Sequence, residues 1–202
     1  MKTSWKEIIE SDAGYIDLIG YGSILNQDSH EGDTSTPDCV LVKGFRRIYN
    51  LKMVPDALDI EVLEAFRKKY WVKYNINSIW DVLELRAQNV CVLNAIYTGK
   101  SQDKINGVRI RIPRKDFEIY WKREEIYDLY KTHYSFIDPQ SWEITASKNW
   151  GYILSAQEEY CIEDWHAFLP YHEFARKWAY RFGEYFGKMF DETTLRVEKS
   201  TN

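Results

Sequence analysis

Apolar and polar positions change rhythm repeatedly along the chain, and each change marks an element. Trp5, Ile8 and Ile9 recur at helical spacing between Ser4 and Ser11, which predicts a short amphipathic helix. Tyr15–Gly20 is a nearly continuous apolar run of ordinary strand length, ending at a turn built from Gly20, Gly22 and Ser23. Gln27 to Asp38 is polar and rich in Ser, Thr and Asp, the composition of a surface loop. Cys39–Val42 and Phe45–Met53 then read as two strands joined by a tight turn at Gly44.

Residues 59–87 follow a different period. Leu63, Phe66, Tyr70 and Trp71 recur at helical spacing, as do Ile79, Val82, Leu83 and Leu85, so two helices are predicted with a break near Asn75-Ile76-Asn77. Strands resume at Asn89–Thr98 and Ile105–Ile112, separated by the polar turn Gly99–Asp103. Pro113 and Asp116 suit a helix start, with Phe117, Ile119, Tyr120 and Trp121 in the next turns. Tyr127–Ile137 reads as a strand stopped by Asp138-Pro139, and Gly151–Cys161 as another. Trp165–Phe190 is expected to be helical, interrupted at Pro170 and weakened by Gly183 and Gly187. Strands in the first two thirds and helices at the end predict an α+β fold with a largely antiparallel sheet.

Composition narrows the function classes. The 202 residues suffice for one well-cored domain, and no composition break divides them. A net charge of −4 argues against nucleic acid as the main partner, because such proteins carry a basic face. No apolar run reaches the roughly 18 residues that span a bilayer, and Met1–Glu7 lacks the apolar core of a signal peptide. Cys39, Cys91 and Cys161 form no Cys-x-x-Cys pair, so neither a disulfide framework nor a zinc knot is expected, and a reducing cytoplasm is the simplest location. Aromatic residues, at 16%, are unusually frequent and suit a core with a pocket or an interface.

The turn after the first long strand, Tyr21-Gly22-Ser23-Ile24-Leu25, is the first candidate for chemistry. Gly20 and Gly22 let the main chain approach a ligand closely, and Ser23 adds a hydroxyl beside backbone N–H groups. A corner of this kind can hold a carboxylate or a developing oxyanion. It lacks the Gly-Lys-Ser/Thr ending of a phosphate loop, the third glycine of a dinucleotide fingerprint and the Gly-x-Ser-x-Gly pattern of a nucleophile elbow. His166 and His172 stand six apart with Pro170 between them, which does not match the i, i+4 spacing of helical metal ligands. No metal or cofactor is expected.

Three further segments extend this motif: the strand Val42–Asn50 with Gly44, Arg47 and Asn50; Asn106-Gly107-Val108; and Arg123-Glu124-Glu125-Ile126-Tyr127. In this order, and with the closing segment Phe182–Phe186, Phe190 and Thr193-Thr194, the chain resembles the gamma-glutamylcyclotransferase-like superfamily, including its AIG2-like and ChaC-like branches. The resemblance implies that the sheet curls into a small mixed, largely antiparallel β-barrel with flanking helices. It also implies a single domain over residues 1–202, with a helical insertion at about 59–87 and C-terminal helices at about 165–190.

Members of that superfamily release 5-oxoproline from a gamma-glutamyl compound. The substrate's α-amine attacks its own γ-carbonyl, so the protein need supply only positioning and proton transfer. On the resemblance, Glu124 is the acid/base, and Tyr21, Gly22, Ser23, Ile24 and Leu25 cradle the substrate together with Tyr127. Trp121, Ile126 and Tyr127 are the neighbours expected to desolvate Glu124. Glu125 competes for the acid/base role, and the spacing to Tyr127 favours Glu124. Arg47 and Asn50 are expected to tie strands together, while Tyr160 and Tyr171 are candidates for a late tyrosine at the site. The partner implied is a small gamma-glutamyl compound: glutathione, a gamma-glutamyl amino acid or a gamma-glutamylamine. Two other readings remain open: a non-catalytic member of the same fold that binds a small ligand or a protein, and a carbohydrate-binding module presenting a flat aromatic platform.

Overall fold

The computed structural model describes residues 2–25, 38–54, 60–163 and 166–195. The expected loop at 27–38 falls almost entirely outside them, and so does Trp165. The chain opens with strand β1 (Lys2–Thr3) and helix α1 (Trp5–Glu10). A capping box starts α1: the Ser4 hydroxyl accepts from the Glu7 amide while the Glu7 carboxylate accepts from the Ser4 amide. Strand β2 (Tyr15–Gly20) runs into a 3-10 turn at Ser23–Leu25. Strands β3 (Asp38–Lys43) and β4 (Phe45–Lys52) are separated by Gly44, whose φ of 84° lies in the left-handed region that glycine enters without strain.

Helices α2 (Ile60–Tyr74) and α3 (Ile79–Ala87) follow, and the expected break is present. Asn75 adopts φ 56° and ends α2, and a second capping box between Ser78 and Asp81 starts α3. Then come β5 (Val90–Tyr97), β6 (Lys104–Pro113), α4 (Phe117–Glu124), β7 (Tyr127–Ile137), β8 (Ile144–Ala156), β9 (His166–Ala167), α5 (Leu169–Arg181), α6 (Glu184–Thr193) and β10 (Thr194–Leu195).

Strand pairing closes on itself. β7 pairs with β3, β3 with β6, β6 with β2, β2 with β8, and β8 with β7 again. Only the β2–β8 contact in this ring is parallel, so the ring is a small mixed, largely antiparallel barrel, as expected. Closure leaves no edge open between these five strands. A second sheet, in the order β10-β4-β5-β9, lies beside it, and α5 and α6 pack against the assembly. The core is continuous, running from Leu18 and Ile110 through Phe45, Leu93 and Ala95 to Phe186 and Phe190.

Two expectations need correction. The strand expected over Gly151–Cys161 is β8, which begins at Ile144 and ends at Ala156; residues 158–160 form a 3-10 turn. The helical segment expected over 165–190 does form helices, but the interruption expected at Pro170 lies elsewhere. Pro170 lies in the first turn of α5, where its missing N–H costs nothing, so it starts that helix rather than interrupting it. The break comes at Gly183, with φ 140°. Gly187 sits inside α6, where a Cβ would lie 2.4 Å from the Tyr180 ring, so it permits the two helices to touch.

Candidate active site

The Asn106-Gly107-Val108 segment explains how the Tyr21 turn is positioned. Val108 is the register partner of Gly20, and a Cβ on Gly107 would lie 2.5 Å from the Gly20 carbonyl oxygen. Only glycine allows β6 to approach β2 this closely, immediately before the turn. The Asn106 amide donates to the Phe186 carbonyl at 2.8 Å, and its oxygen accepts from Arg47 at 3.2 Å. Arg47 is fully buried on β4. Its guanidinium donates to the carbonyls of Asn106 and Phe190 and to the hydroxyls of Thr193 and Thr194, and lies 4.3 Å from the centre of the Phe190 ring. Arg47 therefore ties β4 and β6 to the end of α6. Asn50 has a similar strand-linking role, accepting from the Asn94 amide at 3.0 Å.

Beyond Gly20 the turn is largely enclosed. Tyr21 is buried and donates to the Leu154 carbonyl at 2.8 Å. Burial pushes its hydroxyl pKa well above the ordinary value, and the nearby charges of Tyr171 and Glu124 add to the rise. Glu124 therefore acts on Tyr21 although the two lie about a hundred residues apart. The Leu25 amide donates to the Gly22 carbonyl at 3.0 Å and its side chain is fully buried, so Leu25 anchors the turn from inside. The backbone of Ile24 lies in the same 3-10 turn.

Tyr171, in the first turn of α5, meets the Gly22–Ser23 turn. Its hydroxyl accepts a hydrogen bond from the Ser23 backbone N–H at 3.0 Å, and a Cβ on Gly22 would lie 2.6 Å from the same oxygen. Gly22 is thus required for close approach by a side chain. Of the two late tyrosines considered from the sequence, Tyr171 reaches the turn, whereas Tyr160 is exposed in the 3-10 turn after β8.

Glu124 is the last residue of α4 and is 9% exposed, while Glu125 is exposed. Of the neighbours expected to desolvate it, Trp121 is largely exposed, and Ile126 and Tyr127 are half-buried. The corner from Glu124 to Tyr127 is pinned by β8. Tyr127 is in register with Ala156, the Gln157 amide donates to the Ile126 carbonyl at 3.0 Å, and the Gln157 side chain donates to the Glu125 carbonyl at 3.0 Å. Asn94, fully buried, accepts from the Ala156 amide at 2.8 Å. Sequence reasoning missed Asn94, whose only visible signal is an amide within an otherwise apolar strand.

Next to Tyr171 on α5, the buried His172 is hydrogen-bonded through Nδ1 to the Tyr49 hydroxyl. Among the described residues no group of three or more His, Cys, Asp and Glu side chains could hold a metal ion, and no helix is long and apolar enough to cross a membrane.

No family model matches the sequence, and no curated protein sequence matches it. Solved structures do match the fold. A gamma-glutamyl cyclotransferase structure aligns with TM-score 0.52 and 7% identity over 93% of this chain and 92% of its own. The uncharacterized Homo sapiens protein loc79017 aligns with TM-score 0.53 and 8% identity, over 94% of each chain. YkqA from Bacillus subtilis aligns with TM-score 0.52 and 14% identity over 92% of this chain, which spans 55% of YkqA's length.

Proposed function

We propose that this chain, which has the gamma-glutamylcyclotransferase-like fold, cleaves a gamma-glutamyl amide by intramolecular cyclisation, releasing 5-oxoproline and a free amine or peptide. The observation that supports this reading is the burial of Glu124, whose charge is felt at Tyr21, the residue that opens the Gly22–Ser23 turn. A carboxylate is kept largely from solvent, as a group that must both take and return a proton requires.

In this reaction Glu124 takes a proton from the substrate's α-ammonium group. The freed amine attacks the γ-carbonyl carbon, closing a five-membered ring and placing negative charge on the carbonyl oxygen. Backbone N–H groups of the 21–25 turn, with the Ser23 hydroxyl as an extra donor, hold the glutamyl carboxylate or that oxygen. As the tetrahedral centre collapses, Glu124 gives its proton to the departing nitrogen and the C–N bond breaks. The ring nitrogen, which still carries two hydrogens, then releases its second proton to the regenerated carboxylate, which passes it to the freed amine. One carboxyl group serves first as base and then as acid. Nucleophile and electrophile belong to one molecule, so holding the chain folded supplies much of the rate enhancement. Tyr127, at the start of β7 three residues after Glu124, is assigned to the substrate side in this reading, and the partner is a small gamma-glutamyl compound.

The test is 5-oxoproline release from glutathione, gamma-glutamyl-alanine and gamma-glutamyl-ε-lysine. Turnover of one of them, lost in folded Glu124→Gln, is the expected result. No turnover of any, together with no binding of these ligands, favours the non-catalytic member of the fold.

A further inference from the structure

The helical hairpin α2–α3 is linked to the Tyr21 turn through Tyr74, which packs on Tyr171. Tyr74, the last residue of α2, is 8% exposed and packs on a stripe of α5 aromatics. Its ring meets Phe168 edge-on at 5.2 Å, Tyr171 at 6.4 Å and Phe174 edge-on at 6.5 Å, centre to centre. The α5 residues are three apart and so share one helix face. Tyr74 is itself held by a rigid corner. Asn75 leaves the helix in the left-handed region, Ile76 is buried, and the Asp81 carboxylate accepts from the amides of Asn77 at 2.7 Å and Ser78 at 3.0 Å. At the other end of this contact path, the Tyr171 hydroxyl lies on the Ser23 amide and leaves no room for a methyl group at Gly22.

We propose that Tyr74 is a positioning residue: it clamps Tyr171 so that the tyrosine hydroxyl, accepting from the Ser23 N–H, fixes the shape of the Gly22–Ser23 turn. The helical hairpin thereby sets how well ordered the cradle is before substrate arrives. The kinetic consequence rests on the cyclisation reading above, but the structural consequence does not. A turn ordered in advance helps ground state and transition state alike, so its loosening raises KM and leaves kcat nearly unchanged.

Hydrogen exchange of the Ser23 amide, followed by NMR, tests this without any turnover. In the unmodified chain the amide is protected; an unprotected Ser23 overturns the proposal. Tyr171→Phe, which removes the acceptor, and Tyr74→Leu, which removes the clamp, each lower that protection about tenfold or more while the amides of Val108 and Ile110 keep theirs. Tyr74→Phe keeps the ring and retains protection. Tyr74→Met is the milder truncation should the leucine variant not fold. Unchanged Ser23 protection in the truncated variant, with loss in Tyr171→Phe, overturns the clamp. With an amide that is turned over, Tyr74→Leu raises KM about fivefold with kcat within about twofold; a fall in kcat alone contradicts the positioning role. Absence of turnover bears on the cyclisation reading, while the exchange result stands by itself.

Discussion

Glu124 and Glu125 are consecutive, yet Glu124 is buried at the end of α4 and Glu125 lies in solvent. The separation follows from the corner they occupy, because the chain leaves the helix there and enters β7 two residues later. Of the two, only Glu124 is shielded from water. Replacing Glu124 by Gln is expected to lower kcat by about 10²–10⁴, the usual contribution of a positioned acid/base. Glu125→Gln is expected to stay within about twofold of wild type, since surface changes away from a site are mostly neutral. Steady-state kinetics of both variants, with circular dichroism as a fold control, checks the pair.

Gly22→Ala places a methyl group 2.6 Å from the Tyr171 oxygen, whereas Gly14→Ala meets no atom within 4 Å. The first substitution displaces the tyrosine from the Ser23 amide. It is expected to cost about 1–2 kcal/mol of stability, as overpacking does, and to weaken turnover strongly. Gly14→Ala is expected to leave both properties near wild type. Urea unfolding and 5-oxoproline release measure the contrast.

Gly107→Ala tests the barrel beneath the turn. Its Cβ would stand 2.5 Å from a backbone oxygen and 3.1 Å from the Ile19 side chain, so relief requires separating β6 from β2. A loss of about 3 kcal/mol, the upper end for overpacking, is expected. For a chain of this length that corresponds to a fall of roughly 10 °C in Tm. A Tm unchanged by calorimetry would contradict the close approach.

These glycines also illustrate what the sequence discloses. β2 and β7 are legible to the residue because each is bounded by breakers, Gly20 at the end of one and Asp138-Pro139 after the other. β8 is harder to read. Its first half pairs with β7 through Ile137–Ile144 and Phe136–Thr145, and its exposed positions include Ile144 and Trp150, so no apolar alternation announces it. Gly151 looks like a strand boundary but lies mid-strand, where a Cβ would be 3.1 Å from the Tyr134 ring. Glu124 and the Tyr21 turn are legible as motifs. Tyr171 is legible only as one of two late-tyrosine candidates, and only the folded arrangement decides that it, rather than Tyr160, reaches Ser23.

Asp17 makes part of the stability pH-dependent. Burial pushes its carboxyl upward, but Arg111 donates to both its oxygens at 2.8 and 3.0 Å, Tyr134 donates at 2.8 Å and Arg109 lies nearby. Together these hold its pKa below the ordinary carboxylate value, while the Tyr134 hydroxyl is pushed up to about 12, by burial first and then by Asp17. A lowered folded-state pKa means that the unfolded chain binds the proton first, so this contribution is present above about pH 4 and is lost as pH falls through the folded value. Asp17→Asn is expected to cost about 2 kcal/mol at neutral pH, less than a fully buried pair because Arg111 is partly exposed. Its stability is also expected to fall less steeply between about pH 4 and 2. Urea midpoints across that range check both; an acid limb identical to wild type would contradict the assignment.

Cyclisation and hydrolysis of a gamma-glutamyl amide differ in one atom. Reaction in H₂¹⁸O with the best substrate of the panel, followed by mass spectrometry of the glutamyl product, separates them directly. Attack by the substrate's own amine predicts 5-oxoproline without ¹⁸O, formed by wild type and not by Glu124→Gln. Glutamate carrying ¹⁸O, or unlabelled 5-oxoproline formed equally fast by Glu124→Gln, would contradict the account.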